Sequence, residues 1–316
     1  MTIDTFAEEI RRAEYISRFN KVIDYVQANL SAPLSLDTLA SQACFSPYHF
    51  HRLFHAWMGE TAHDFILRLR LERAAVHLTY DAHKSITEIA LECGFASSSA
   101  FARAFKSLHR ISASEWRAKR KICKTDRKKG EELAAPSLRY STSEIGLGPF
   151  REQTVELRVD VKHFEPMHVA YVRHMGPFQQ NAKLFEHLFG RLARWAGPRG
   201  LMGTPFSRVL SVHHDNPDIT DPHRLRLDAA VAVPEDTRVS GEIGKQRLEG
   251  GAYAVAKVRI RPNQYTETWD ALMAGWLPGS GYQPDDRPCL EIYLNDPKSD
   301  PEGMHEVEIC LAVKPL

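Results

Sequence analysis

The sequence predicts two joined domains: an all-α domain with two helix-turn-helix motifs, followed by an α+β domain made of two similar halves. The chain has 316 residues, which is enough for about two domains that each bury a core. One internal repeat lies within residues 35–106, and a looser one lies within residues 155–314. We therefore expect domains at residues 1–123 and 154–316, joined by a polar linker at 124–153.

Charge is divided unevenly between the two parts of the chain. Residues 1–129 contain 20 Lys or Arg and 14 Asp or Glu, so their net charge is positive. The remaining residues contain 21 Lys or Arg and 26 Asp or Glu, so their net charge is negative. A basic part joined to an acidic part indicates that the first part contacts a polyanion. Much of the basic excess lies at 117–129. For its last four basic residues, within 124–129, a solvated helix end that runs into the linker is an equally good interpretation.

The sequence also bears on the location of the protein. Its five cysteines are widely spaced and form no Cys-x-x-Cys pair, which argues against a disulfide scaffold or a zinc finger. No apolar run approaches the ~18–20 residues that span a bilayer, and the acidic amino terminus lacks the apolar core of a secretory signal. We therefore expect a cytoplasmic protein.

The first repeat predicts the helix-turn-helix motifs. Ser35–Ala40, with the sequence SLDTLA, returns fifty residues later as Ser85–Ala90, with the sequence SITEIA. In each copy a Ser precedes an apolar helical pattern, and a short turn then leads to a second helix that also begins at a Ser. Two short helices joined by a tight turn are typical of this motif. Four further positions recur after a one-residue insertion: Ser46, Phe50, Arg52 and Phe54 match Ser97, Phe101, Arg103 and Phe105.

The second helix of each motif has an apolar and a polar face. Its Phe residues fall on one stripe and are expected in the core, which leaves the opposite face to meet a major groove. We expect Lys106 and Arg110, near the far end of the second copy, to contact phosphates. A continuous helix predicted at residues 62–79 spans about 27 Å, so the two recognition helices can meet adjacent major grooves of double-stranded DNA. The predicted base-reading residues are Tyr48, His51 and Arg52 in the first copy and Ser98, Ser99 and Arg103 in the second.

The residues from about 19 to 120 resemble the AraC/XylS family of transcription regulators. The most specific stretch is residues 86–106, which read ITEIALECGF followed by ASSSAFARAFK. Ala113 stands where the family often has Pro, and we expect that difference to change a loop and little else. The resemblance implies binding to double-stranded DNA, a role as activator more often than repressor, and RNA polymerase as a possible partner.

The second repeat predicts an α+β domain with pseudo-twofold symmetry. Each half reads as strand, helix, strand, strand, and a cleft between two such halves is a common place for a small ligand. The predicted elements of the first half are a strand at 167–172, a helix near 179–196, and strands within 205–217 and at 227–233. Those of the second half are a strand at 252–260, a helix near 265–276, and strands within 288–297 and at 307–313.

This second part resembles the GyrI-like effector-binding domain over essentially its whole length, and Rob-type regulators join the two domains in this order. The strongest matching stretches are residues 276–282, WLPGSGY, and residues 290–297, LEIYLNDP. The match at residues 171–178 is looser. The resemblance implies a small-molecule effector as a ligand, and we expect neither a cofactor nor a metal.

Glu291 is the most informative residue in this part, because it lies within an apolar strand. Burial of an unpaired carboxylate costs free energy, so a folded protein keeps one only where it is paired, protonated or useful. If the aliphatic side chains of its strand face a helix, Glu291 and Tyr293 line the opposite surface. The resemblance to GyrI-like domains implies that a Glu at this position faces the ligand cavity, where it can pair with a cationic group of an otherwise apolar ligand. An edge strand with Glu291 in water is the alternative. The aromatic residues expected in the cavity are Trp276, Tyr282, Tyr171, Phe178 and Tyr293.

Other candidate residues carry less weight. We assign Trp269 and Phe185 to the core, because each lies inside its helix. The run His213-His214-Asp215 suggests a metal site, but adjacent strand residues point to opposite faces and no third ligand has suitable spacing. We expect a regulator and no enzyme. Two alternatives stay open for the second domain: hydrolysis of small electrophiles, which some GyrI-like domains perform, and binding of a protein partner.

Overall fold

The computed structural model describes residues 3–81, 83–126, 157–179, 181–202, 207–217 and 219–315. The linker predicted at 124–153 lies outside these residues except at 124–126, which belong to a helix. In the part of the chain described before residue 127, the helices are α1 (Ile3–Ala28), α2 (Leu36–Gln42), α3 (Pro47–Met58), α4 (Ala62–Tyr80), α5 (Ile86–Glu92), α6 (Ser98–His109) and α7 (Ala113–Asp126).

Serine caps begin the four helices of the two motifs, as the sequence predicts. Each Ser side chain accepts a hydrogen bond from the backbone N–H three residues later, which satisfies a donor that the first helical turn leaves free. At α5 the contact is reciprocal, because the Glu88 carboxylate also accepts from the Ser85 backbone N–H. The capping residues are Ser35, Ser46, Ser85 and Ser97.

Helix α4 joins the two motifs by contributing to both of their cores. Phe65 belongs to the cluster that holds Phe50 and Phe54 of α3, whereas Ala74 belongs to the cluster that holds the Phe residues of α6. The sequence predicts this helix at 62–79, and the observed helix is one residue longer. All four Phe residues of α3 and α6 are fully buried, which confirms the predicted apolar stripe: Phe50, Phe54, Phe101 and Phe105.

The second domain is a nine-stranded antiparallel sheet with helices on one face. The order across the sheet is β1-β6-β9-β8-β3-β4-β2-β5, and β7 pairs with β9. The strands are β1 (Val159–Phe164), β2 (Met167–Met175), β3 (Val209–His213), β4 (Arg226–Val233), β5 (Gly244–Leu248), β6 (Gly251–Ile260), β7 (Tyr282–Pro284), β8 (Cys289–Tyr293) and β9 (His305–Pro315). The helices are α8 (Ala182–Ala196) and α9 (Tyr265–Asp270), and a π-helical turn, Ala271–Trp276, continues α9.

The two predicted halves are present, and each begins with a strand that the sequence does not indicate. β1 precedes β2, and β5 precedes β6, so that each half contains the series strand, strand, helix, strand, strand. The second half has the short strand β7 in addition, between its helix and β8. β1 is an edge strand whose side chains are mostly exposed, so its sequence lacks a clear apolar alternation. β3 and β8 meet at the pseudo-twofold axis, where Ser211 is paired in register with Glu291.

Helices α1 and α4 contact the second domain through charged side chains. Arg173 of β2 donates to Asp24 of α1 across 2.9 Å, and Asp24 also accepts from the Tyr171 hydroxyl at 2.6 Å. Arg224 pairs with Glu60, which directly precedes the N-cap of α4. Within the described part of the chain, no helix has the length and apolar character that crossing a membrane requires.

Candidate functional sites

The residues predicted to read DNA in the first motif are exposed on α3. Tyr48 is 65% exposed, and His51 and Arg52 are exposed beside it. Arg52 Nη1 donates to the Tyr48 hydroxyl across 2.9 Å, and its guanidinium carbon lies 5.7 Å from the centre of the Tyr48 ring. This pair holds a donor group on the surface of α3, with the buried Phe residues on the opposite side of the helix.

The second motif presents a smaller polar surface on α6. Ser98, Ser99 and Arg103 are exposed there, and the Ser99 hydroxyl lies 3.1 Å from that of the capping Ser97. The two residues predicted to contact phosphates, Lys106 and Arg110, are also exposed and lie at the carboxyl end of α6. The two helix faces are separated along the chain by α4, whose 19 residues rise about 28 Å.

Glu291 is buried at the centre of the second domain and has three polar neighbours. It is 5% exposed, so the alternative of an edge strand with the carboxylate in water is wrong. Trp269 Nε1 of α9 donates to Oε1 across 2.9 Å, and the Tyr293 hydroxyl donates to Oε2 across 3.0 Å. His213 Nε2 of β3 lies 3.3 Å from Oε1, which makes an ion pair whenever the ring is protonated.

These neighbours keep the carboxyl of Glu291 charged. Burial by itself raises the pKa of a carboxyl, but the charge of His213 and the hydrogen bonds outweigh that effect and lower the pKa of Glu291 below its usual value. Tyr293 is further fixed by Ser211, whose Oγ lies 2.8 Å from its hydroxyl oxygen. The second domain therefore contains a buried anion that is fixed in place by an indole, a phenol and an imidazole.

The face on which Glu291 lies corrects one sequence expectation. Strand alternation is as predicted, since Leu290 and Ile292 pack in one cluster and Tyr293 packs in another. However, Glu291 and Tyr293 point toward the helices, and the aliphatic side chains point to the other face of the sheet. The condition that the aliphatic set faces a helix is therefore not met, and it is the polar set that contacts the indole of Trp269 on α9.

The helices and the sheet enclose a large cleft around Glu291. The cleft has a volume of about 2480 Å³ and continues from α8 and α9 to helix α4 of the first domain. Three of the five predicted aromatic residues line it: Phe178, Tyr282 and Tyr293.

The other two predicted aromatic residues lie elsewhere. Tyr171 is fully buried on the opposite face of the sheet, in the cluster of Leu290, where its ring lies against Gly244 and its hydroxyl binds Asp24. Trp276 stacks on Tyr282 at 6.2 Å between ring centroids and packs into the apolar cluster beside α9. The structure therefore corrects the assignment of Tyr171, which contributes to the contact between the domains. The ligand-binding role of Trp276, which supports the ring of Tyr282, stays a prediction.

Three residues outside the predicted ligand-binding set also line the cleft. Phe185 and Trp269 pack against apolar core clusters, as predicted, and they also line the cleft, where Phe185 meets the Phe178 ring edge-on at 6.4 Å. His213 lies 5.5 Å from the Phe178 ring and beside Glu291. Their position depends on the pairing of β3 with β8 and on the path of α9, which residue spacing along the chain does not reveal.

The run His213-His214-Asp215 diverges toward three different partners. His214 Nε2 lies 2.7 Å from the Asp228 carboxylate on the other face of the sheet, and Asp215 pairs with Arg226. Among the described residues, no group of three or more His, Cys, Asp or Glu side chains is placed to hold a metal ion.

Comparison with known proteins identifies both domains. Residues 158–314 match the family of GyrI-like small-molecule-binding domains, and residues 39–119 match a helix-turn-helix domain family. A protein of Edwardsiella piscicida named DNA gyrase inhibitor is 34% identical over 158 residues, which are 48% of this chain and 97% of that protein. The chain belongs to the AraC-type regulators that carry a GyrI-like domain. It is a DNA-binding regulator whose second domain belongs to a small-molecule-binding family.

Solved structures of two regulators are similar to this chain. A transcriptional regulator with an AraC-type DNA-binding domain from Chromobacterium violaceum is 33% identical, with a TM-score of 0.31, and the match covers 33% of this chain and 91% of that one. EcmrR, solved as a DNA complex, is 14% identical with a TM-score of 0.44, and the match covers 94% of this chain and 95% of that one.

Proposed function

We propose that the protein is a transcription activator that reads two adjacent major grooves and responds to a largely apolar, cationic effector. The observation that carries the proposal is Glu291, a buried charged carboxylate in an aromatic cleft, within a chain that also has two DNA-binding motifs. A buried charge is retained where it is paired or useful, and an anion among aromatic faces favours an apolar cation.

The DNA-binding part of the proposal rests on the polar faces of α3 and α6. We assign base contacts to Tyr48, His51 and Arg52 on α3, and to the exposed Ser98, Ser99 and Arg103 on α6. The length of α4, about 28 Å, is close to the ~34 Å of one DNA turn, so one copy of the chain is able to reach two grooves. Lys106 and Arg110 are assigned to phosphates.

The effector part rests on how Glu291 is paired. Two of its neighbours, Trp269 and Tyr293, are neutral donors, and His213 supplies a positive charge only when protonated. A cationic ligand group beside Oε1 is able to replace His213 as the positive partner of this carboxylate. The rings of Phe178 and Tyr282 offer apolar area for the body of such a ligand.

The activator role follows the resemblance to the AraC/XylS family, in which activation is the commoner role. An activator acts by contact with RNA polymerase, which we propose as the protein partner. The alternative of a hydrolase is less favoured, because a carboxylate whose pKa is lowered is a weak general base.

A second candidate function is supported by the names of the relatives. Proteins named DNA gyrase inhibitor match the GyrI-like half alone, over nearly their whole length. The second domain is then a protein-binding module, and gyrase is its candidate partner. A direct pull-down of purified gyrase by the full chain, with and without a small cation in the cleft, separates this candidate from the effector proposal.

Selection of bound sequences from random DNA tests the proposed function. The full chain is used with and without tetraphenylphosphonium, a bulky apolar cation. We expect an enriched motif with two conserved blocks about one helical turn apart and a change in the amount of DNA retained when the cation is added. Enrichment of no sequence, or equal retention at every cation concentration, would contradict the proposal.

A further inference from the structure

Helix α4 is shared between the two functions of the chain. It packs against the recognition helices of both motifs, and its last turns border the cleft that contains Glu291. Val76 and Tyr80 line this cleft. Tyr80 also packs against the apolar cluster of the second domain, as do Trp269 and Tyr282.

The volume of the cleft leaves room for a ligand to reach α4. A pocket for a drug-sized molecule has about 300–1000 Å³, and this cleft has about 2480 Å³ because it continues between the domains. A ligand whose charged group lies at Glu291 can therefore extend its apolar body toward Val76 and Tyr80.

An ion pair holds α4 against the second domain. Asp286, in the loop between β7 and β8, pairs with Arg73 of α4 and lies 3.0 Å from His77 Nε2 of the same helix. Burial alone raises the pKa of a carboxyl, but His77 and Arg73 lower the pKa of Asp286 well below its usual range, so it is charged near neutral pH. The same loop leads directly into β8, the strand of Glu291. The ion pair of Asp286 therefore links α4 to β8 through a few residues of the chain.

We propose that the effector site is composite, with Val76 and Tyr80 of the DNA-binding domain as one wall and Glu291 of the GyrI-like domain as the polar anchor. The inference rests on the proposed function and adds the route of regulation. The effector contacts the helix that spaces the two recognition helices, so occupancy of the cleft changes the arrangement that fits DNA. By thermodynamic linkage, DNA changes the affinity for the effector by the same factor.

Calorimetric titration of the full chain with tetraphenylphosphonium tests the composite site. Tyr80→Ala is expected to weaken binding about tenfold, because it removes an aromatic contact face. Tyr15→Ala is the matched control, since Tyr15 stacks on Phe45 of the first domain and should leave the affinity unchanged. Circular dichroism of each variant checks that the fold is kept.

A second variant keeps the proposal falsifiable if Tyr80→Ala loosens the domain contact. Val76→Trp adds bulk to the wall, so it should weaken tetraphenylphosphonium at least tenfold and leave the small cation tetramethylammonium unaffected. Parent-like affinity of both variants, together with a loss in Glu291→Gln, would overturn the composite site and leave the proposed function standing. A parent chain that binds neither cation would instead overturn the proposed function, and the composite site with it.

The connection through Asp286 is tested with DNA present. The affinity for tetraphenylphosphonium is measured with and without the selected DNA, and the ratio is the coupling factor. Asp286→Asn should bring this ratio close to one, whereas Asp300→Asn, which weakens the pair with Arg259 inside the second domain, should leave it as in the parent. An unchanged ratio in Asp286→Asn would contradict transmission through the pair between Asp286 and Arg73.

Discussion

The indole Nε1 of Trp269 donates a hydrogen bond to Glu291 Oε1 across 2.9 Å, from helix α9 to the strand at the centre of the sheet. This contact lowers the cost of a buried carboxylate and fixes it in the cleft. A ligand that enters the cleft therefore meets a charge whose position is set before binding, and preorganisation of this kind favours affinity.

The first prediction concerns the charge of Glu291. Glu291→Gln keeps the shape of the side chain and removes its charge, so it should weaken the binding of tetraphenylphosphonium by up to about 3 kcal/mol, roughly the Coulomb attraction of two unit charges about 6 Å apart at an effective dielectric constant of about 20. The affinity for triphenylphosphine oxide, a neutral molecule with similar rings, should fall much less in this variant. Calorimetry on the full chain measures both affinities.

A matched anion and a ring variant complete that experiment. Tetraphenylborate has the shape of tetraphenylphosphonium and the opposite charge, so the parent should bind it weakly and Glu291→Gln should bind it better. Tyr282→Ala should weaken all the ligands alike, because it removes buried area regardless of charge. Equal losses of cation and neutral ligand in Glu291→Gln would show that the pocket is merely apolar.

The second prediction concerns base recognition by the two arginines. Arg52→Ala and Arg103→Ala should each relax sequence preference in one of two protected patches, by about 1–3 kcal/mol if the contact is to guanine. Lys106→Ala should instead weaken all sequences and reduce the salt dependence of binding. Footprinting and affinity series over single-base variants of the selected DNA measure these effects.

The outcome for each arginine decides its role separately. Uniform weakening over all sequences in Arg52→Ala would identify that residue as a phosphate contact and contradict the assignment. Tyr48→Phe is a useful companion, since it removes the hydroxyl that accepts from Arg52 and keeps the ring. It should lower specificity less than Arg52→Ala does.

The sequence predicts the first domain better than the second site, for physical reasons. Serine caps and Phe spacing are local signals, so the ends of α2, α3, α5 and α6 follow from residues a few positions apart. The neighbours of Glu291 come from β3, α9 and β8, which are up to about 80 residues apart along the chain. Tyr171 is misassigned because its partner, Asp24, belongs to the other domain.

The third prediction concerns the pH dependence of stability at Glu72. Burial raises the pKa of Glu72 on α4 to about 7, and the pair with Arg68 offsets burial only in part. A carboxyl with a raised pKa binds more protons in the folded state, so its contribution to stability is greatest below the unfolded pKa and falls as pH rises through the folded pKa. The parent therefore loses stability from this group between pH 5 and pH 8.

Glu72→Gln removes that titration and keeps an oxygen acceptor for Arg68. From pH 5 to pH 8 the free energy of unfolding of the variant should rise relative to the parent by about 2 kcal/mol. Urea denaturation at several pH values gives the difference curve, and the exposed Glu267→Gln is the control. A difference that stays constant with pH would show that Glu72 is charged throughout the range.

The last prediction compares the turns of the two motifs, where Cys44 and Gly94 occupy equivalent positions. Both residues have a left-handed backbone conformation, with φ values of +54° and +84°. Gly94 has in addition a close neighbour, since a Cβ there would lie 2.9 Å from Nε of Arg70, which donates to the Leu30 carbonyl. Gly94→Ala should therefore lower the free energy of unfolding by roughly 2–4 kcal/mol, from the backbone conformation and from displacement of Arg70.

Cys44→Gly in the first motif should instead raise the free energy of unfolding by up to about 1 kcal/mol. The strain of a left-handed conformation, which Gly relieves, is larger than the entropy that Gly adds to the unfolded chain. Gly59→Ala separates the two causes, as Gly59 has φ +70° and nothing within 4 Å of its added Cβ, so it should cost about 1–2 kcal/mol. Urea denaturation of the full chain followed by circular dichroism measures all three, and equal losses in Gly94→Ala and Gly59→Ala would mean that the Arg70 contact adds nothing.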